Sequence, residues 1–422
     1  MIEKKLTVVK GPKTSGTGGD GSTGSDNSNL SKNAQIELYL STNYLFRYNT
    51  IKSQTEFKGI TETEFKPLEP YFINGFRREL DQRGINTSPA NIDQILKSPF
   101  ASRIHPVKDY FNQLPKWDQH DHIADLCATV SIKDDSELWY IYFTKWITAA
   151  VANVFNDKNC LNHCCLVLTG EQGKFKTTWL NHLCPKPLFP SYLYCGRPDI
   201  NNDRTINQLV AEMFIINLDD VLHKINVIDE NLLKNYITKP FVTYDKKFDP
   251  YIREYSHLAS FCASINGNEF LTDPTGNRRF LPFEVTGIDI DKATTIDMNL
   301  IYSQCMHLIR SGYEYWINQD ELAELERNNV NFQLQSLEEQ LLIEYFAPPD
   351  ERDLATNFYS TAKIKSLIEL HTRQKLSTKK LGSALVKNGF EKWQKTFDNK
   401  QVQWVWSVIE KTGPEIQNQT LK

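Results

Sequence analysis

The sequence predicts an α/β protein with a parallel sheet at its centre. Between residues 146 and 325, short apolar runs alternate with segments of helical periodicity, a pattern typical of parallel strands joined by crossover helices. A stretch rich in Gly, Ser, Thr, Asp and Asn precedes this region, and a strongly basic segment follows it. These three observations divide the chain into a tail, an N-terminal domain, a core domain and a C-terminal domain.

Composition places the chain among ordinary globular proteins. It has 422 residues and a net charge of −4, so any nucleic acid or membrane signal must be local. The longest apolar stretch, 146–155, is well short of the roughly 20 residues that a membrane span needs. The start, MIEKKLTVVKGPK, lacks the core of a signal peptide. We therefore expect a soluble, cytoplasmic protein with no membrane partner.

The eight cysteines show no paired framework, which suits reduced thiols in a cytosol. One cluster, CLNHCC at 160–165, has a composition that could hold a metal. Two of its cysteines run into an apolar strand, and no second ligand pair with zinc-like spacing exists. Structural thiols are therefore favoured over a zinc site.

The first two predicted regions contain little chemistry. Residues 1–32 have almost nothing to bury, which predicts a disordered tail. Residues 33–145 carry apolar residues at mixed spacings together with helical patterns such as ANIDQILKSPF. We expect a small, mainly helical domain there.

The core domain, 146–325, contains a near match to the phosphate-binding loop G-x-x-x-x-G-K-S/T. In LTGEQGKFKTTW, Gly170, Lys176 and Thr177 are in place, but Phe175 stands where the second glycine belongs. A side chain at Phe175 must point away from the phosphates, and the backbone there must not need a positive φ. Lysine would reach the outer phosphates and threonine would hold magnesium. The predicted nucleotide-binding residues are Gly170, Glu171, Gln172, Gly173, Lys174, Phe175, Lys176, Thr177 and Thr178.

Polar residues at the ends of two further apolar runs supply the other parts of such a site. After MFIINL, Asp219 is the expected magnesium partner of Thr177, and Asp220 is the candidate base. The alternative is that the two acids cap a following helix. After HLASFCASI, Asn266 can orient the attacking water, or it can simply start the Gly-Asn turn that follows.

Two adjacent arginines follow in DPTGNRRFLPFEV. Because successive strand residues face opposite ways, one of Arg278 and Arg279 can pair with a buried acid while the other projects outward. An outward arginine at a subunit edge can act as an arginine finger on a neighbour's γ-phosphate. A structural salt bridge for both remains the alternative.

Two segments are candidates for nucleic acid contact. In KPFVTYDKKFDPYIREY, at 239–255, Lys246, Lys247 and Arg253 lie among aromatic residues in a predicted hairpin, a combination suited to gripping a single strand. An ordinary solvated loop is the alternative there.

The second segment belongs to the last domain, 335–422. From residue 361 onward it has twelve Lys or Arg against five acids, a local charge of +7. Two predicted helices followed by two strands suggest a winged helix, with Lys379, Lys380 and Lys387 facing DNA. A solvated basic face without a ligand is the alternative.

Together, GEQGKFKTTW, INLDD, LASFCASINGNEFLTDPTGNRRFLPFEV and HPVKDYFNQLPKWDQHDHI resemble the virulence-associated protein E family of P-loop ATPases, over about residues 40–320. These proteins are related to superfamily 3 helicases and occur on phages, integrated elements and plasmids. The resemblance implies a P-loop, AAA+-like ATPase core that binds ATP and Mg²⁺. It also implies assembly as a homo-hexamer on single-stranded or forked DNA, with the 239–255 hairpin lining the pore.

By the same resemblance, the loop binds ATP, Asp219 and Asp220 form the magnesium and water-activating pair, Asn266 is the sensor, and one of the two arginines is the finger. The sequence departs from the family at Phe175 and has Asp rather than Glu at position 220. No primase segment is recognisable, so priming would need a separate primase. We therefore expect an ATP-dependent DNA helicase or translocase. The rivals are a non-hydrolytic DNA-binding initiator or regulator on a P-loop scaffold, and a small-molecule kinase.

Overall fold

The computed structural model describes residues 30–133, 136–222, 227–245, 252–271, 277–349, 356–396 and 402–411. Almost all of the predicted tail, residues 1–29, lies outside this range, as do the predicted contact residues Lys246 and Lys247. The chain divides into two compact units, Met1–His105 and Pro106–Lys422. Among the described helices, none combines the length and apolarity that crossing a membrane requires.

The first unit combines three helices with a small sheet. Its elements are α1 (Lys32–Asn43), β1 (Tyr44–Asn49), β2 (Gln54–Gly59), β3 (Lys66–Pro67), α2 (Pro70–Asp81), α3 (Pro89–Leu96) and β4 (Ser102–Ile104). The strands pair in the order β3-β2-β1-β4, and β1 runs antiparallel to β2 but parallel to β4. The apolar face of α2, with Phe76 and Leu80 buried, packs in one core with Ile36 and Phe57.

This unit differs from the predicted mainly helical domain at 33–145. It contains four strands, and it ends at His105. The strands are short and half-buried, so their alternation is too brief to stand out from the surrounding helical patterns. Residues 106–145 belong to the second unit, where they supply a strand and three helices or parts of helices.

The second unit begins with elements that frame a central sheet. In chain order its first part comprises α4 (Pro106–Asn112), α5 (His122–Cys127), β5 (Val130–Ile132), α6 (Ser136–Phe155), β6 (Cys165–Thr169), α7 (Lys176–His182), β7 (Leu193–Cys195), α8 (Asp203–Glu212), β8 (Ile215–Asp219), α9 (Val227–Thr238), β9 (Phe241–Asp245), β10 (Ile252–Ser256), β11 (Ser260–Ser264) and β12 (Phe280–Ile288). Helices α10 (Ile290–Thr295), α11 (Met298–Arg310) and α12 (Gln319–Asn329) follow.

The central sheet has the order β5-β12-β6-β11-β8-β7, and all its neighbouring strands are parallel except β5 against β12. The predicted α/β class with a parallel sheet is therefore confirmed. Every residue of β6 and β11 is buried, which explains their continuous apolar sequence. Because β11 lies between β6 and β8, the carboxyl ends of these three strands meet at one edge of the sheet.

A separate core organises the last part of the chain. Its elements are α13 (Leu337–Tyr345), β13 (Phe346–Ala347), β14 (Asn357–Tyr359), α14 (Thr361–Thr372), α15 (Thr378–Lys387), β15 (Lys392–Thr396) and β16 (Val402–Glu410). Leu342, Ile364, Leu381 and Trp406 pack together in this core. The predicted sequence of two helices and two strands is present, and β15 pairs antiparallel with β16.

Candidate nucleotide site

The predicted phosphate loop connects the end of β6 to the start of α7. Gly170 has φ +123°, and a Cβ there would lie 2.5 Å from the carbonyl oxygen of Val285 in β12. Gly173 has φ +83°. Both positions require glycine or favour it strongly, the first because a neighbouring backbone approaches closely and the second because of its left-handed conformation.

Phe175 also adopts the left-handed conformation, with φ +59° and ψ +18°. The expectation that the backbone at Phe175 would not need a positive φ is therefore wrong. Its side chain is 54% exposed, so the ring contributes little packing to offset the strained backbone. The loop thus keeps the backbone path that a glycine would take at this position, and it accommodates the aromatic ring by directing it outward.

Lys176 is buried at the first position of α7. Its ammonium donates hydrogen bonds to the carbonyl oxygens of Gly170 at 3.0 Å and Glu171 at 2.6 Å, and to Oδ1 of Asn266 at 3.4 Å. Burial lowers the pKa of Lys176, while the carboxylates of Asp219 and Asp220 oppose that shift. Among the residues that the structure describes, this cation therefore forms its hydrogen bonds with uncharged oxygens, which an anion could replace.

The hydroxyl of Thr177 lies in a tight hydrogen-bond triangle. It donates to Oδ1 of Asp219 at 2.7 Å, and the hydroxyl of Ser264 lies 2.9 Å from it and donates to the same carboxylate oxygen at 2.7 Å. Hydroxyl and carboxylate oxygens are the ligands that Mg²⁺ prefers. The donor set of Thr177 and Asp219 therefore fits the predicted magnesium site.

Ser264 is a residue that sequence reasoning missed. It is the last residue of β11, and it is almost fully buried at 3% exposure. The apolar run ends in Ser-Ile-Asn, and the sequence predicted a functional role only for Asn266. Ser264 in β11 pairs directly with Asp219 in the neighbouring strand β8, and this register is visible only in the folded sheet.

Asp220 and Asn266 lie beside this triangle. Asp220 has φ +51°, and its backbone N–H donates to the carbonyl of Ser264 at 2.9 Å. The amide of Asn266 donates to Oδ1 of Asp220 at 3.3 Å, and its own oxygen accepts from Lys176. Asn266 therefore links the lysine to the second acid, a position from which it can orient a water molecule between them.

The structure does not bring Arg278 and Arg279 into this group. Both lie in a 3₁₀ turn, Asn277–Arg279, rather than in a strand as predicted, and β12 begins only at Phe280. Phe280 pairs with Cys165, the first residue of β6, whereas the phosphate loop follows the last residue of that strand. At ~3.3 Å per residue, the two ends are roughly 13 Å apart along the sheet.

The predicted pairing of one arginine with a buried acid is also absent among the residues that the structure describes, where neither guanidinium forms an ion pair. Arg278 is exposed and Arg279 half-buried, so burial, together with the neighbouring Arg278, lowers the pKa of Arg279. Neither arginine therefore belongs to the group of side chains around Lys176 and Asp219 in this chain.

The described nucleic acid candidates are all exposed, but they differ in their ion-pair partners. Arg253 is exposed in β10, opposite Tyr244 of β9 in an antiparallel hairpin. Lys379 and Lys380 are exposed in the first turn of α15. In contrast, the ammonium of Lys387 lies 3.0 Å from Oε1 of the buried Glu339, so this lysine serves the packing of α15 against α13.

One further group of side chains has the composition of a metal site. The imidazoles of His120 and His122 and the carboxylate of Asp125 place ligand atoms within 4.8 Å of one another. The hydrogen bond of His120 with Asp125 and that of His122 with Asp118 already account for this arrangement at the surface. All eight cysteines are free, in agreement with the expected reduced thiols.

Comparison with known proteins gives one family. The model of the virulence-associated protein E-like domain matches residues 111–334, more than half of the chain and all of the loop, acid and asparagine positions described above. An apo structure of the NrS-1 C-terminal region is similar with a TM-score of 0.49 and 11% identity, covering 89% of this chain and 98% of that chain. A second apo structure of that region has a TM-score of 0.44 and 12% identity, covering 89% and 99%. No curated protein matches the chain.

Proposed function

Because the chain belongs to the virulence-associated protein E-like family, we propose that it is an ATP-hydrolysing motor in the replication of a phage or another mobile genetic element. The observation that carries this proposal is the meeting of Lys176, the Thr177–Asp219 pair and Asn266 at the carboxyl ends of β6, β8 and β11. Ligands of open α/β sheets bind at this edge.

Lys176 is the group that binds the outer phosphates of ATP. Its ammonium already lies in the loop, where its hydrogen-bond partners within the described part of the chain are two backbone carbonyls and the Asn266 amide oxygen. Phosphate oxygens can replace these partners without breaking a buried ion pair. The amides of residues 171–176 contribute further donors, since successive N–H groups of such a loop converge on an anion.

Thr177 and Asp219 would hold Mg²⁺, which when bound neutralises charge on the β- and γ-phosphates. Asp220 accepts a proton from the attacking water, and Asn266 orients that water through its contact with Asp220. Arg278 or Arg279 of another copy stabilises the charge that develops on the γ-phosphate, because the roughly 13 Å along β6 separates them from the loop of their own chain. A ring of copies, expected to be a hexamer, satisfies this geometry.

The work done by hydrolysis would be movement along single-stranded or forked DNA. The β9–β10 hairpin, with exposed Arg253 and with Lys246 and Lys247 in its connecting segment, is the proposed moving contact. The C-terminal module with Lys379 and Lys380 is the proposed second contact, and the winged helix that its sequence suggests would present these lysines to DNA. A separate primase would supply primers.

The decisive experiment compares DNA-stimulated ATP hydrolysis by the wild type and by Lys176→Ala. Loss of the lysine should reduce the rate by several hundred-fold or more, since it removes the cation at the transferring phosphate. Lys186→Ala, an exposed lysine just beyond α7, is the matched control and should keep the wild-type rate. Equal rates for wild type and Lys176→Ala would defeat the proposal.

One observation favours a second candidate, a DNA-binding replication initiator or regulator that does not hydrolyse ATP. Phe175 holds a strained backbone in the loop, and the hydroxyl of Thr177 and the ammonium of Lys176 are both satisfied within the protein. A loop of this kind can persist as a scaffold. Calorimetry would then detect no ATP binding, while DNA binding by the C-terminal module would remain.

A further inference from the structure

We propose that the β15–β16 hairpin binds single-stranded nucleic acid by stacking a base on Trp404, while Lys392 contacts the adjacent phosphate. This inference rests on the proposed function only in taking nucleic acid as the ligand. It assigns a contact at residues outside α15 and outside the β9–β10 hairpin, and it does not depend on ATP hydrolysis.

The hairpin projects from the core of the C-terminal module. All five residues of β15 are exposed, and so are the first three residues of β16, Val402, Gln403 and Trp404. Burial begins only at Val405, and Trp406 belongs to the module's core. Strand β14 pairs with β16 only from Trp406 onward, so the outer part of the hairpin is a two-stranded ribbon with both faces open.

Two large aromatic side chains lie on this open ribbon. Trp393 is 51% exposed and Trp404 is 55% exposed. Exposed tryptophans are uncommon because the indole loses favourable burial, and neither ring here is needed to fill the core. An exposed indole on a rigid strand offers a flat apolar face that a nucleobase can cover.

The register places a cation beside one of these rings. Gln394 lies opposite Trp404 and Lys392 opposite Trp406, so Lys392 and Trp404 are diagonal neighbours on the same face. The ammonium of Lys392 lies over the Trp404 ring, 5.1 Å from its centre, and 5.5 Å from the centre of the Trp406 ring. A base that replaces the ammonium on the Trp404 indole would leave the lysine within reach of the flanking phosphate.

The surrounding charge favours a polyanion. Within residues 392–396 and 402–406 there are two lysines and no acid. The second lysine, Lys395, lies on the face that carries Trp393, with its ammonium 3.9 Å from the ring centre of Phe358. Each face of the ribbon thus combines one exposed indole with one cation, the pairing that sequence-tolerant recognition of single strands requires.

Single-stranded rather than duplex nucleic acid fits this surface. In a duplex the faces of the bases are covered by their neighbours, so an indole reaches them only by unstacking the helix. An unpaired strand presents those faces freely. A duplex would instead contact the lysines through its phosphates, and removal of an indole would leave that affinity nearly unchanged.

The test is fluorescence anisotropy of a labelled oligothymidylate titrated with the full-length protein in the absence of ATP. Trp404→Ala should weaken binding by about 5- to 150-fold, the range for loss of one stacked base, and Trp404→Phe should retain most of the affinity. Lys392→Ala should weaken binding and reduce its dependence on salt concentration. Trp316→Ala is the matched control, because Trp316 is 53% exposed outside the C-terminal module.

Equal affinities of wild type and Trp404→Ala for the oligonucleotide would overturn the inference. So would an equal loss for the Trp316 variant, or tighter binding of duplex than of single strand. Because Trp404→Phe keeps an aromatic ring, its retained affinity excludes unfolding as the cause of the loss in Trp404→Ala. If the protein hydrolyses no ATP but Trp404→Ala still weakens oligonucleotide binding, only the proposed hydrolysis is refuted. If it hydrolyses ATP but Trp404→Ala binds as the wild type does, only the hairpin site is refuted.

Discussion

The left-handed backbone at Phe175 gives a prediction that separates strain from side-chain packing. Phe175→Ala and Phe175→Gly both remove the ring, but only the glycine relieves the positive φ of 59°. A left-handed conformation costs an L-residue about 1–2 kcal/mol. The greater conformational freedom of glycine in the unfolded chain offsets about 0.5–1 kcal/mol of the stability gained by relieving this strain. The glycine variant should therefore be more stable than the alanine variant by about 0.5–1 kcal/mol.

The assay is urea unfolding of the two variants, followed by tryptophan fluorescence, with equal slopes required for the comparison of midpoints. The wild type should lie close to the alanine variant, because its half-exposed ring contributes little packing to offset the strained backbone. An alanine variant as stable as the glycine variant would refute the reasoning. The same proteins also test the loop: a large gain in ATP affinity in Phe175→Gly alone would mean that Phe175 impairs the native site.

Three further predictions concern individual side chains. Ser264→Ala removes the hydroxyl that donates to Asp219, so hydrolysis should require a higher Mg²⁺ concentration for half-maximal rate, and an unchanged magnesium titration would contradict the proposed role. Burial lowers the pKa of His257 to about 4, against the two backbone carbonyls that its ring nitrogens face. The unfolded chain therefore binds the proton more tightly than the folded one. Between about pH 6.5 and 4 this histidine should lower the free energy of unfolding by about 1.4 kcal/mol per pH unit of acidification. Urea unfolding of His257→Gln should lack this contribution. Finally, Lys380→Ala should weaken DNA binding and lower its salt dependence. Lys387→Ala should mainly destabilise the C-terminal module, because Lys387, unlike Lys380, is paired with a buried acid. A binding titration in which Lys387→Ala loses more DNA affinity than Lys380→Ala would contradict this prediction.

Several parts of the candidate site were accessible from sequence because they follow a local rule. Lys176 and Thr177 begin a helix directly after a glycine-bearing turn, and Asp219 ends an apolar strand. In a parallel sheet such strand ends lie at one edge, so the apolar runs alone predicted that these residues would be neighbours. The contact of Thr177 with Asp219 at 2.7 Å agrees with that expectation.

Other parts depended on interactions between segments far apart in the chain. The roles of Ser264 and Lys387 follow from a strand register and from a partner helix, neither of which has a local signature. The strands of the first unit were missed because each is short and only partly buried. The placement of Arg278 in a turn ahead of β12, rather than within the strand, follows from where pairing with Cys165 begins.

The sequence by itself determined the α/β class, the family and the positions of the phosphate loop and its following acids, because periodicity and motif spacing are properties of consecutive residues. Only the tertiary structure decided the backbone conformation at Phe175, the hydrogen-bond triangle around Asp219 and the separation of the arginines from their own loop. Each of these depends on which strand lies beside which and in what register. For LTGEQGKFKTTW this means that the residue missing from the motif is a glycine whose backbone conformation the chain nevertheless adopts.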